Sequence, residues 1–169
     1  MALRIRPFTL DDEAASLAAE EAFVGSSFSF LIWHEPEMPW STYVAQMATM
    51  ESGEGLPAGK VRAANWVAEV DGVLVGTISV RFALNDFLAT RGGHIGYAVH
   101  PEHRRRGYAT EMLRLGIDLA RSQGVGDLLV TCNDDNVGSA AVIERCGGVL
   151  ESVRHDDQGV PFRRYWFYA

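Results

Sequence analysis

The sequence predicts an α/β protein built around one mixed sheet, with the element order β-α-α-β-β-β-α-β-α-β-β. Runs that alternate like strands are interspersed with runs that have helical periodicity. Residues 93–132 follow the pattern strand, turn, helix, strand, which is the form of a βαβ crossover. In addition, Asp71-Gly72 separates two apolar runs, as in a β-hairpin. In sheets of this kind, ligands tend to lie at the carboxyl ends of strands beside a helix N-terminus.

The composition fits one globular domain over residues 1–169 and argues against several functional classes. Hydrophobic residues make up 47% of the chain, which is enough for a sizeable core. The net charge of −7 argues against a nucleic-acid binder or an anionic-membrane binder. No apolar run is long enough to span a membrane, and the N-terminus lacks the apolar segment of a signal peptide.

The two cysteines, Cys132 and Cys146, have no metal-ligand spacing, so no metal site is expected. Free thiols and a cytoplasmic location are the natural interpretation, although two cysteines leave a disulfide open.

The first half of the chain predicts a strand, two helices and a hairpin. Thr9 and Asp12 have a spacing like that of a capping box at a helix start. Asp71-Gly72 indicates a tight turn because both central residues of such a turn need positive φ. The predicted elements are a strand at 3–8, a helix after residue 9, a helix at 40–50, and strands at 63–70 and 73–82.

The second half predicts three elements of the crossover and three more after it. Apolar residues with helical spacing follow Gly107, and Gly124 indicates the end of that helix. The predicted elements are a strand at 93–99, a helix at 106–123, a strand at 128–132, a helix at 136–146, and strands at 149–155 and 160–168.

An arginine-rich turn lies between the strand at 93–99 and the helix that follows. It contains Arg104, Arg105 and Arg106 immediately before Gly107. A helix start presents unpaired N–H groups and the positive end of the helix dipole, which together favour a phosphate. Because the whole chain is acidic, this local block indicates an anionic ligand rather than a generally basic surface.

The turn also carries the first sign of a known family. Arg104-Arg-Arg-Gly107-Tyr-Ala109 resembles the Arg/Gln-x-x-Gly-x-Gly/Ala signature of the Gcn5-related N-acetyltransferases, the GNAT superfamily. The usual lead-in of that signature, Val-x-Pro after a strand, is present as Val99-His-Pro101.

A second element of the family is present as Asn136-Val-Gly-Ser139, followed by a helix and Gly147. Together the two motifs make the resemblance specific, and it covers nearly the whole chain. Many members carry a tyrosine four residues after the serine position, as the acid for the leaving thiolate, and here that position is Ile143. Members that resemble the ribosomal-protein acetyltransferases also lack a tyrosine at this position, so the chain resembles that branch of the family.

The resemblance implies an acyltransferase that uses acetyl-coenzyme A as co-substrate and transfers the acetyl group to a primary amine of a small molecule or peptide by direct attack. In the family, the pyrophosphate lies on the backbone amides of the signature turn, and pantetheine pairs with the preceding strand like an extra strand. A backbone N–H near Val99 is implied as the donor to the thioester oxygen. The residues implied for coenzyme A binding are Tyr97, Ala98, Val99, Arg104, Arg105, Arg106, Gly107, Tyr108, Ala109, Thr110, Asn136 and Ser139.

Several of these residues have ordinary structural alternatives. Asn136 is equally suited to cap its helix, and capping and ligand contact are compatible. His94 is a candidate general base because its titration range suits proton transfer near neutrality, but a strand histidine with a backbone partner is the alternative. Asp86 is a second candidate base, and a turn role for Asn85-Asp86 is the alternative. Tyr165 is a more remote candidate acid.

The acceptor pocket is expected from residues 23–40 and from the connection at 84–88. Phe28, Phe30, Trp33 and Trp40 are candidates for its lining, and Glu35 and Glu37 for attracting a cation. The identity of the acceptor stays open, as does a homodimer, which many relatives form. The alternative function is a non-catalytic coenzyme A-binding regulatory module, since Ile143 cannot donate a proton.

Overall fold

The predicted order of elements is confirmed in a computed structural model that describes residues 2–169. The helix predicted after residue 9 begins with a short helix at Leu10–Asp12, and two further short helices, at Leu88–Gly92 and Pro101–His103, are additional to the prediction. The strands are β1 (Arg4–Pro7), β2 (Ala63–Val70), β3 (Val73–Arg81), β4 (Ile95–Val99), β5 (Leu128–Asn133), β6 (Val149–His155) and β7 (Pro161–Phe167). The α-helices are α1 (Glu13–Glu21), α2 (Trp40–Ser52), α3 (Tyr108–Ser122) and α4 (Val137–Arg145).

The strands form two antiparallel sheets that meet between β4 and β5. One sheet has the order β1-β2-β3-β4, and the other has the order β5-β7-β6. At the junction, the His94 N–H donates to the Leu129 carbonyl at 2.7 Å, and His94 Nδ1 accepts the Leu129 N–H at 2.9 Å. A Cβ at Gly93 would lie 2.6 Å from the Leu129 oxygen, so the junction needs glycine there.

Local geometry agrees with the turn and cap signals in the sequence. Asp71 and Gly72 have φ of 51° and 82°, as the predicted hairpin turn requires. The Asp12 carboxylate accepts the Thr9 N–H at 2.7 Å. The Asn136 side-chain oxygen accepts the Ser139 N–H at 3.1 Å, so Asn136 does cap α4.

Alternate residues of β2 and β3 reach two separate hydrophobic clusters on opposite faces of the first sheet. The larger cluster lies under α3 and α4 and includes Ile78, Met112 and Leu113. The other lies under α2 and the segment that precedes it, and it includes Tyr43 and Val67. Hydrophobic side chains therefore pack against both faces of this sheet.

Within residues 2–169, no helix is long and apolar enough to cross a bilayer. Cys132 and Cys146 both carry free thiols.

Candidate active site

Two cavities adjoin at the gap between β4 and β5. The first, of about 730 Å³, lies against the start of α3 and is called the helix-start cavity. The second, of about 500 Å³, lies against β2 and β3 and is called the sheet-face cavity. Because Tyr97, Ala98 and Ser139 line both, a molecule in one cavity reaches the other across the end of β4.

The turn before α3 presents a row of free N–H groups to the helix-start cavity. Arg105 and Gly107 have φ of 60° and 83°, a left-handed conformation that turns successive amides to one side. Within the described residues 2–169, no main-chain carbonyl accepts the N–H groups of residues 105–110. These donors and the positive end of the α3 dipole form a cradle for an anion such as a phosphate.

Eleven of the twelve residues predicted to bind coenzyme A line the helix-start cavity, and Arg106 does not. The Arg106 guanidinium turns back along the chain and donates to the Glu102 carbonyl at 3.3 Å. The Arg104 Nε donates to the Val99 carbonyl at 3.2 Å, which ties the turn to the end of β4.

At the edge of β4 that faces the gap, the N–H and C=O groups of Tyr97 and the N–H of Val99 have no main-chain partner within residues 2–169. The His100 N–H donates to the Val75 carbonyl of β3 at 2.9 Å. In an antiparallel pair the hydrogen-bonding direction alternates, so the peptide groups of Tyr97 and Val99 point away from β3 and into the gap. An extended ligand that enters the gap can therefore pair with β4 as a strand would.

The Tyr97 side chain stands at the meeting point of the cavities, where its hydroxyl lies 2.9 Å from Ser139 Oγ. Burial raises the pKa of Tyr97 to about 12, so the phenol stays protonated at neutral pH and can donate a hydrogen bond. Ile143 is fully buried in the core, in keeping with its apolar side chain. The Tyr165 hydroxyl donates to Glu144 at 2.9 Å and lines neither cavity.

The two candidate bases lie away from both cavities. His94 is buried at the sheet junction, where Nδ1 is occupied by the Leu129 N–H, and the pKa of His94 is lowered by burial and then by the charge of Arg81. Asp86 is exposed just before the short helix at Leu88–Gly92, where the neighbouring Asn85 side-chain oxygen accepts the Leu88 N–H at 2.9 Å. Both placements are those of the structural alternatives, so neither residue is carried into the proposed mechanism.

Only some of the residues predicted for the acceptor pocket line the sheet-face cavity. Phe28 and Phe30 line the sheet-face cavity. Trp33 instead packs beneath Lys60, whose Nζ lies 4.3 Å from the ring centroid, and Trp40 is buried in the smaller core cluster. Glu35, Glu37 and the connection at 84–88 are likewise not among the residues that line this cavity.

Three polar side chains of β2 and β3 line the sheet-face cavity and were missed by the sequence analysis. Asn65 and Ser79 are direct partners in the β2–β3 ladder, and Arg81 lies two residues farther on the same face. The available signal was their polarity at positions that alternation assigns to a buried face of apolar strands.

Comparison with known proteins identifies the family. Residues 26–148 match the acetyltransferase (GNAT) family. The chain belongs to the GNAT acetyltransferase family. The family and the enzyme class predicted from the sequence are thereby confirmed.

Three solved structures illustrate the similarity of the fold. RimJ of Mycobacterium smegmatis in complex with CoA-disulfide is 20% identical, with a TM-score of 0.73 over 99% of this chain and 82% of that chain. A ribosomal-protein-alanine N-acetyltransferase from Brucella melitensis is 20% identical, with a TM-score of 0.68 over 98% and 99%. The yncA protein of Salmonella typhimurium, solved with acetyl-CoA, is 18% identical, with a TM-score of 0.64 over 99% and 94%.

The predicted acetyl donor, acetyl-coenzyme A, agrees with the GNAT family and with the Salmonella structure. No curated protein matches the sequence significantly. Among residues 2–169, no group of three or more His, Cys, Asp or Glu side chains is arranged to hold a metal ion.

Proposed function

We propose that this chain is one N-acetyltransferase domain that moves an acetyl group from acetyl-coenzyme A to the primary amine of a small molecule or peptide. The observation that carries the proposal is the meeting of two cavities at the open edge of β4, one of which has an amide cradle for phosphate. This arrangement lets donor and acceptor approach the same point from opposite sides of the sheet.

The helix-start cavity is suited to the donor. The free N–H groups of residues 105–110 hold the pyrophosphate, with Arg104 and Arg105 adding charge-assisted contacts. The exposed N–H and C=O groups of Tyr97 pair with the pantetheine arm. The donor supplies a thioester, and the acceptor nitrogen forms a C–N bond to its carbonyl carbon as the C–S bond breaks.

Two groups of β4 stabilise the charge that develops during transfer. The Val99 N–H points into the gap and is proposed to donate to the thioester oxygen. The Tyr97 hydroxyl, oriented by Ser139, is proposed to donate a hydrogen bond to the departing thiolate. Tyr97 is thus proposed as the hydrogen-bond donor to the thiolate, a role that the apolar side chain of Ile143 cannot fill.

The acceptor amine must lose a proton, and the sheet-face cavity provides no side-chain base for it. None of the described residues that line this cavity is Asp, Glu or His. We propose that the amine binds in its neutral form or gives its proton to water, since the cavity is open to solvent.

Release of free thiol from acetyl-coenzyme A, measured across a panel of amines, tests the proposal, together with mass spectrometry of the acetylated amine. Acetylation of at least one amine above the rate of thioester hydrolysis is expected. Tight binding of coenzyme A with no transfer to any amine would instead support a regulatory coenzyme A-binding module, which the lack of a base in the cavity favours.

A further inference from the structure

The floor of the sheet-face cavity contains buried polar atoms without partners. Asn65 is 3% exposed, and both its amide oxygen and its amide nitrogen lack a hydrogen bond within residues 2–169. The hydroxyl groups of Ser79 and Tyr43, which line the same cavity, are also unpaired there. Buried polar groups are normally satisfied, so these atoms are available to hydrogen-bond a polar ligand in the cavity.

A guanidinium without a counter-ion lies beside these groups. Arg81 lines the cavity, and its guanidinium makes no ion pair and no hydrogen bond within residues 2–169. Burial lowers the pKa of Arg81 to about 10, because its charge is desolvated without compensation. Asp156 and Asp157 border the next cavity, which Arg81 also touches, but neither lies within ion-pairing distance of it.

Three other arginines that are buried or half-buried have ion-pairing or hydrogen-bonding partners. Arg6 donates to Asp12 at 2.7 Å, and Arg164 donates to Glu151 at 2.7 Å. Arg91, the second arginine of the sheet-face cavity, hydrogen-bonds Asn133 and lies 3.7 Å from Asp156. Arg81 therefore differs from these three arginines, because within residues 2–169 it has no partner and a ligand can supply one.

The charge of the cavity points to the nature of that partner. The described residues that line it include two arginines and no Asp or Glu, although the whole chain has a net charge of −7. A ligand that carried only an ammonium group would be repelled here, whereas an anionic group would neutralise Arg81.

The guanidinium lies close to the point of transfer. A Cβ at Gly96 would be 3.4 Å from Arg81 Nη1, so the guanidinium packs over Gly96. Ala98, which lines both cavities, is two residues farther along β4, about 7 Å at the usual rise of a strand. A molecule that bridges the two positions has its anionic group only a few bonds from its amine.

We propose that the acceptor is a small amine that carries a carboxylate, an amino acid in its simplest form, and that Arg81, Asn65 and Ser79 bind this carboxylate. The inference rests on the proposed acetyl transfer and specifies its substrate class. Phe28, Phe30 and Trp66 line the remaining wall and suit an apolar side chain.

The test compares the twenty proteinogenic L-amino acids with their primary amides as acceptors for acetyl-coenzyme A. The amides keep the amine and the side chain but lose the negative charge, and their amines are intrinsically easier to deprotonate. For the best amino acid, we expect kcat/KM to exceed that of its amide by about a hundredfold, because the amide leaves the guanidinium unpaired. Equal or faster use of the amides would overturn the inference.

Arg81→Gln provides the second arm, with Arg154→Gln as the matched control. Arg154 is exposed on β6 and lies outside both cavities. In Arg81→Gln, we expect KM for the amino acid to rise about thirtyfold and the preference over the amide to disappear, with the Kd for acetyl-coenzyme A unchanged. Arg81→Lys should restore part of the preference, and Arg154→Gln should behave as wild type. A preference that persists in Arg81→Gln would contradict the assignment.

Calorimetry of the amino acids with the coenzyme A-bound protein separates the two proposals. Binding that requires both the carboxylate and Arg81, without transfer, would overturn the proposed function and support the anion site. Transfer to amines irrespective of a carboxylate would support the proposed function and overturn the anion site. Absence of both binding and transfer would overturn both.

Discussion

Tyr97 is the side chain at which the two cavities meet, and its hydroxyl has a fixed partner in Ser139. We predict that Tyr97→Phe lowers kcat by about ten- to a hundredfold, which is the worth of one hydrogen bond to a charged group. The Kd for coenzyme A, measured by calorimetry, should change little because the backbone of β4 is kept.

Ser139→Ala serves as the control for Tyr97→Phe. It removes the partner of the phenol but keeps the donor itself, so its effect on kcat should be the smaller of the two. An unchanged kcat in Tyr97→Phe would exclude the phenol from the transfer step.

Substitutions of His94 test whether this side chain, of a type that ordinarily titrates near neutral pH, is structural or catalytic. In His94→Ala the buried Leu129 N–H loses its acceptor, which should lower the free energy of unfolding by about 1–3 kcal/mol. His94→Asn offers an oxygen close to the position of Nδ1, so we predict that it recovers most of the stability in chemical denaturation. Acetyl transfer by His94→Asn should keep the wild-type rate and pH profile, and loss of its rate would return His94 to the role of base.

The roles of some side chains could be predicted from the sequence and those of others could not, for a physical reason. The lack of a donor at Ile143 could be read directly because it depends only on residue identity. The roles of Asn65, Ser79 and Arg81 depend on which polar atoms are left without partners, and this becomes visible only after β2 and β3 are packed.

The turn before α3 is proposed to bind the donor mainly through its backbone, with Arg104 and Arg105 assisting and Arg106 directed away from the cavity. Arg105→Glu places a carboxylate in the helix-start cavity, whereas Arg106→Glu makes the same charge change on a side chain directed at Glu102. We predict that Arg105→Glu weakens coenzyme A binding by about tenfold or more and that Arg106→Glu has a much smaller effect, as measured by calorimetry at one salt concentration.

Gly107→Asp adds a test of the backbone itself. Residue 107 has φ of 83°, and a Cβ there would meet no atom within 4 Å, so the variant brings backbone strain and a negative charge without a clash. It should weaken binding at least as much as Arg105→Glu. Wild-type affinity in both variants would show that the phosphates bind elsewhere.

Strands and helices could be predicted from the sequence because their signals are local. The hairpin at 71–72 and the cap at Asn136 are encoded by two or three residues, and both form as predicted. The long segment at 23–39 has aromatic residues but no periodicity, so its aromatic side chains could not be divided between cavity and core. Phe28 lines both cavities, while Trp33 packs on Lys60 at the surface.

Each of the two sheets is cross-linked by a carboxylate that accepts hydrogen bonds from arginine on a neighbouring strand. In the first sheet, Glu69 of β2 accepts hydrogen bonds from Arg4 at 2.9 Å and Arg6 at 2.6 Å, both on β1. In the second sheet, Glu151 of β6 accepts from Arg164 of β7 at 2.7 Å, and this lowers the pKa of Glu151 to about 2. The two halves of the molecule that form the gap thus each depend on an ionised carboxylate.

This dependence predicts how stability changes with pH. The hydrogen bonds from Arg4 and Arg6 lower the pKa of Glu69 from its ordinary value of 4.5. A carboxyl group with a lowered folded-state pKa contributes stability that is present in full above 4.5 and is lost as the pH falls through the folded-state value. We therefore predict that Glu69→Gln lowers the Tm by a constant amount between about pH 6 and pH 8 and that the difference from wild type shrinks below about pH 4.5.

Calorimetric scans from pH 8 to pH 3 measure this difference, and Glu54→Gln is the control because Glu54 is exposed and forms no ion pair within residues 2–169. His94, whose pKa is also lowered, contributes equally to both proteins and cancels in the comparison. A difference in Tm that stays constant down to pH 3 would mean that Glu69 stabilises the fold through packing or neutral hydrogen bonds. A shrinking difference would show that the ionised carboxylate joins β1 to β2 and so supports one wall of the gap in which transfer is proposed.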